Sequence, residues 1–160
     1  MSSQPIERVG VIGAGQMGGG IAEVCARAGV DVVVFETTEA LSAAGRARIV
    51  KSLERGVSAG KITERERDRA LEGLSFTTTL TDLADRELVI EAIVEDEKIK
   101  ASVFAQLDEI ITDPDAVLAS NTSSIPVMKL GAATQNPGRV LGLHFFNPVP
   151  VLPLVELVTT

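Results

Sequence analysis

Short apolar runs rich in β-branched residues recur at residues 8–12, 31–35, 87–90, 116–119, 139–143 and 154–158. Val, Ile and Leu follow one another in them almost without a polar break, the pattern of strands buried on both faces. Between these runs the apolar positions take helical spacing. Over residues 97–111, Ile99, Val103, Leu107 and Ile110 step by four, four and three into one stripe, which Asp113-Pro114 stops. A second helix is predicted over residues 16–28, ended by Gly29, and a long one over residues 38–60. Thr63-Glu-Arg-Glu66 is a capping box that opens a shorter helix through Leu71. Strands that alternate with helices need crossover connections. The expected class is therefore α/β, a doubly wound, mostly parallel sheet of the Rossmann type, with a helical excursion after the second strand. No repeat or linker divides the chain, so residues 1–160 are read as one domain.

Composition narrows the partners. The net charge is −7, and Lys/Arg clusters interleaved with aromatics are absent, which argues against nucleic acid. The longest apolar run is far shorter than the ~18 residues of a membrane span, and the first motif begins by Val9, so a cytoplasmic protein is expected. Cys25 is the single cysteine, unable to form an internal disulfide, and no metal site is visible. It reads as a small packing residue of the first helix. Asn121-Thr-Ser123 matches a glycosylation sequon, but nothing routes the chain to a secretory compartment.

The first strand runs directly into Gly13-Ala-Gly15-Gln-Met-Gly18, which opens the next helix. In that setting Gly13 supplies the tight turn, Gly15 lets the backbone approach a pyrophosphate, and Gly18 lets helix and strand pack closely. The helix N-terminus offers amide donors and the positive end of a dipole. Gly13, Gly15, Gln16, Met17 and Gly18 are thus candidate cofactor contacts. Glu36 ends the second strand, where a carboxylate accepts both adenosine ribose hydroxyls. A 2′-phosphate would meet a like charge there, and Thr37, Thr38 and Glu39 offer no compensating cation, so NAD is expected over NADP.

Further on, the chain reads Ala119-Ser-Asn-Thr-Ser-Ser124, then Gly142-Leu-His144-Phe-Phe-Asn147-Pro-Val-Pro-Val151, then Val155-Glu156. With the glycine loop, these segments closely resemble the short-chain L-3-hydroxyacyl-CoA dehydrogenases over essentially the whole chain. The chemistry of the residues agrees. Oxidising an alcohol needs a base for the hydroxyl proton, and His144, the only histidine, has an unperturbed pKa of ~6.5 suited to that exchange. It is expected just past a strand's C-terminal end, with Glu156, twelve residues on in a new strand, holding its tautomer.

The resemblance implies that Ser123 hydrogen-bonds the substrate oxygen, that Glu95 and Lys100 contact the cofactor, and that Asn147 lies near the nicotinamide. It implies that Ser52 contacts the CoA moiety. The family's lysine about seven residues after that serine is unmatched: Val57-Ser-Ala-Gly60 stands there, with Lys61 nearby. Arg48 or Arg55, on one face with Ser52, is a candidate replacement; a solvated helix face is the alternative. The expected reaction is NAD-dependent oxidation of (S)-3-hydroxyacyl-CoA, with 3-hydroxybutyryl-CoA and acetoacetyl-CoA as the pair. The alternatives are a dinucleotide-binding module without turnover, or a related dehydrogenase of a sugar acid. The resemblance further implies a helical domain, not contained in residues 1–160, that forms a homodimer and closes over the acyl-CoA. Residues 1–160 alone are expected to bind dinucleotide but turn over poorly.

Overall fold

In the computed structural model, which describes residues 5–159, the strands are β1 (Arg8–Ile12), β2 (Asp31–Phe35), β3 (Leu74–Thr77), β4 (Leu88–Glu91), β5 (Val117–Ser120), β6 (Val140–Phe145) and β7 (Val155–Val158). The helices are α1 (Gln16–Arg27), α2 (Glu39–Ser58), α3 (Glu64–Glu72), α4 (Glu97–Ile110) and α5 (Val127–Gly131). The strands form one sheet in the order β3-β2-β1-β4-β5-β6-β7. All neighbours are parallel except β6 and β7. The chain winds outward from β1 through β2 to β3, then returns to β4 on the other side. A crevice opens at that reversal, at the carboxyl ends of the strands, where sheets of this kind bind ligands.

Alternating strand residues feed two cores, one on each face. Val9, Val11, Val32 and Val34 pack with Ile21 and Ala22 of α1 and Ile49 and Leu53 of α2. Ile12, Val89 and Leu118 pack with Phe104 and Leu107 of α4 and Leu130 of α5. The doubly wound expectation is met. Helix starts follow their caps: Thr38 Oγ1 accepts from Leu41 N at 3.2 Å, and the Thr63–Glu66 capping box is formed in both directions.

Four features differ from the sequence reading. Strand β3 was not expected, because Leu74-Ser-Phe-Thr77 is short and half polar and its pairing with β2 supplies what its composition lacks. Helix α5 was likewise not anticipated; it is a five-residue segment, too short to show a period. Helix α4 buries Lys100, Phe104 and Leu107, with Ile111 just past its end, a stripe rotated from the predicted one, and leaves Ile99 47% exposed. That rotation turns Lys100 toward a carboxylate on β4. Strand β7, expected to be buried on both faces, is exposed along its length, since it is the sheet edge and no helix of the described residues covers it.

Candidate active site

The glycine loop is shaped by close approach. Gly13 has φ +95°, and a Cβ there would lie 2.9 Å from the Ala92 carbonyl oxygen. A Cβ on Gly18 would lie 1.9 Å from the Gly13 carbonyl oxygen, so no other residue fits while α1 starts here. Above Gly15, by contrast, nothing lies within 4 Å of a Cβ position. The first turn of α1 has neither a side-chain cap nor an acidic residue. An open backbone cradle at an uncapped, positive helix end fits a pyrophosphate. Glu36 flanks it: Oε1 accepts from Ala14 N at 2.6 Å and Oε2 from Thr37 N at 3.2 Å. The carboxylate is thereby fixed beside the loop with lone pairs left for ribose hydroxyls.

On the other side of β1 lies a cavity of about 350 Å³ lined by Met17, Glu95, Lys100, Ser123, His144 and Asn147, among others. Sequence-distant candidates thus share one space. His144 lies within β6 and not beyond its end, as expected from sequence, because pairing with β7 extends the strand to Phe145. The same register sets His144 opposite Glu156, and His144 Nδ1 is 2.9 Å from Glu156 Oε2. An ionised carboxylate only accepts, so Nδ1 carries the proton and Nε2 the free lone pair. The Phe146 ring, with centroids 4.7 Å apart, packs against the imidazole. Asn121 Oδ1 accepts from Phe145 N at 2.8 Å and ties the loop that carries Ser123 to the end of β6. Gln16 Nε2 donates to Asn147 Oδ1 at 3.1 Å, linking the glycine loop to the segment after His144.

The loop that holds Ser123 rests on a network whose central residue, Glu91, the sequence reading did not single out. The Glu91 side chain is fully buried, with Oε1 accepting from Lys100 Nζ and from Ile93 N at 2.6 and 2.7 Å and Oε2 accepting from Ser120 Oγ at 2.6 Å. Lys100 Nζ also lies 3.2 Å from Glu95 Oε2. Glu95 Oε1 accepts from Thr122 Oγ1 and from Ser124 Oγ. Burial works to raise the Glu95 pKa, but the Thr122 hydrogen bond, the Lys100 charge and hydrogen bond and the Ser124 hydroxyl outweigh it and hold the group at about 2. Lys100 is only 1% exposed, so it is a buried partner of Glu91 and not a solvated surface lysine. The only signal in the sequence is a glutamate closing an apolar strand, nine residues before a lysine.

Ser52 and Arg55 line a second cavity, of about 410 Å³, with Arg27, Arg48, Lys61 and Asn147. Asn147 therefore borders both spaces. Arg48 Nη1 donates to the Ala14 carbonyl oxygen at 2.6 Å, bracing the glycine loop, which leaves Arg55 as the freer of the two candidate arginines. Arg27 and Lys61 add positive charge that the sequence reading did not assign to the groove. Glu23, almost fully buried under the same cavity, pairs with Arg27 at 3.7 Å; burial raises its pKa against the opposing pull of Ser52, Arg27 and Arg55. Among the described residues no group of three or more His, Cys, Asp or Glu side chains could hold a metal ion, and no helix is long and apolar enough to cross a membrane.

Residues 8–160 match the family model of the 3-hydroxyacyl-CoA dehydrogenase NAD binding domain. The chain is 75% identical over 158 residues to the 3-hydroxybutyryl-CoA dehydrogenase of Mycobacterium tuberculosis, an alignment that covers 99% of this chain and 55% of the relative. It is 48% identical to the probable 3-hydroxybutyryl-CoA dehydrogenase of Deinococcus radiodurans, covering 94% of this chain and 54% of that protein. The crystal structure of M. tuberculosis FadB2 superposes with a TM-score of 0.95 at 73% identity, covering 98% of this chain and 56% of that one. The chain spans about half the length of the curated relatives it matches. With a strand-to-helix glycine loop, an acidic residue just after β2 and a seven-stranded sheet wound on both faces, the chain belongs to the 3-hydroxyacyl-CoA dehydrogenase family, matching its NAD-binding domain.

Proposed function

We propose that the protein containing this chain oxidises (S)-3-hydroxyacyl-CoA to 3-ketoacyl-CoA and catalyses the reverse, with 3-hydroxybutyryl-CoA and acetoacetyl-CoA as its pair. The observation that carries this reading is the His144 Nδ1 to Glu156 Oε2 contact of 2.9 Å on the cavity that Ser123 shares. NAD, when bound, supplies the hydride acceptor. His144 Nε2 takes the hydroxyl proton during oxidation and returns it during reduction. Glu156 keeps the ring in the tautomer that leaves Nε2 unprotonated, then faces the imidazolium that forms. Ser123 donates a hydrogen bond to the substrate oxygen.

The anionic CoA handle lies in the basic groove of Arg27, Ser52, Arg55 and Lys61, so that the thioester passes Asn147 into the His144 cavity. The names and identities of the relatives support this substrate class. The reading includes a homodimer, as the family resemblance implies, and the cytoplasmic location expected from the sequence. Glu156→Gln tests the pair directly. In the full-length protein, kcat for acetoacetyl-CoA reduction is expected to fall by about a hundredfold with KM little changed, since general acid–base catalysis contributes on that scale. A kcat within about twofold of wild type would remove the pair from the mechanism.

A further inference from the structure

Lys100 is one ammonium set between two carboxylates. Glu91 Oε1 and Glu95 Oε2 lie 2.6 and 3.2 Å from its Nζ, and their side chains are 0% and 40% exposed. Glu95 and Lys100 line the cavity that also holds Ser123, His144 and Asn147. The formal sum of the three charges is minus one. A buried ion pair gains little over apolar residues of similar volume, because desolvation offsets its attraction. The Glu95 carboxylate also accepts from Thr122 Oγ1 and Ser124 Oγ, so it ties down the Ser123 loop and at the same time leaves the cluster with a net negative charge.

A dinucleotide anchored at Glu36 and the glycine loop spans the crevice toward β4 and β5, and its nicotinamide end enters this cavity. The oxidised ring carries a positive charge and the reduced ring none; the two cofactor forms are otherwise almost the same in shape. A fixed negative charge beside the ring distinguishes them, and neutral surroundings do not. We propose that the Glu91–Lys100–Glu95 cluster sets the relative affinity for the two redox forms of the cofactor, its unbalanced carboxylate favouring NAD+ over NADH. Glu91 acts here as a positioning residue through Lys100, while Glu95 and Lys100 face the cavity. The inference rests on the nicotinamide end occupying this cavity.

The test is isothermal titration of the full-length protein with NAD+ and with NADH at one ionic strength, for wild type and three variants. Glu95→Gln and Glu91→Gln each remove one negative charge with little change of shape. Each is expected to weaken NAD+ binding relative to NADH by about tenfold. Glu91→Gln combined with Lys100→Met removes one charge of each sign and keeps the sum at minus one, so its affinity ratio is expected to stay within about twofold of wild type. Should Glu91→Gln fail to fold, Glu95→Gln against the double variant carries the same comparison, since the Glu95 side chain is partly exposed. Parallel loss of both forms with an unmoved ratio would assign the cluster to structure alone and overturn the proposal. So would a double variant that shifts the ratio as far as the single ones. A wild-type protein that binds neither form would overturn the reading of the cavity together with the inference.

Discussion

Cys25 shows how burial decides the chemistry of a single side chain. It lies in the last turn of α1, partly buried against the core, and burial pushes its thiol up to about 11. The thiolate is the reactive form, so at neutral pH almost none is available. Iodoacetamide is expected to leave the folded protein unmodified and to alkylate it fully in denaturant; mass spectrometry of the two samples reads the difference. Alkylation of the folded protein at the rate of a free thiol would show that this part of α1 opens. The sequence reading of Cys25 as a packing residue agrees with its partly buried place against the core. His144, Glu156 and Ser123 were legible for another reason: their chemistry is uncommon at strand ends and their motif is specific. Glu91 was not, and Lys100, named only through the family resemblance, gave no sign of its burial, because a lysine in a charged helix start looks solvated until a carboxylate on a neighbouring strand is seen to face it.

At the scale of elements, caps were the most legible feature. The Thr63–Glu66 box marks the start of α3 as read, and Thr38, read only as the beginning of a helix, caps α2, since a side-chain oxygen on the first free amides is a local requirement. Burial was less legible. The face α4 buries depends on an ion pair to another element, and the pairing that completes β3 comes from β2. The function of α2 belongs to this scale, because Ser52 and Arg55 reach the groove only from a helix that crosses the glycine loop. Arg55→Glu is expected to raise KM for acetoacetyl-CoA by about tenfold while sparing an acetoacetyl-pantetheine analogue that lacks the nucleotide phosphates, a contrast read by steady-state kinetics. An equal rise for both would show that the change disturbs α2 and not a phosphate contact.

For the whole molecule, the alternation of strands and helices carried the fold, and the acidic balance leaves local cations as the exception that marks a groove. A net charge of −7 also acts on every anionic ligand that approaches. Binding must therefore be local and stereospecific, and Glu36 is where the two dinucleotides differ. Its carboxylate is held by Ala14 N and Thr37 N, so it is not free to swing away from a 2′-phosphate. A ligand that binds only the folded state stabilises it by about 2.7 kcal/mol at a hundredfold excess over Kd. For a domain of this size that corresponds to a rise in Tm of about 5–10 °C. NADH is expected to give such a rise in a thermal melt, and NADPH at the same concentration to give about a tenth of the stabilisation or less. Glu36→Gln should narrow the gap by strengthening NADPH, since it removes the like charge but keeps a hydrogen-bonding group for the ribose. Equal shifts for the two cofactors in the wild-type protein would mean that the 2′-position lies away from Glu36, and the preference for NAD would then need another cause.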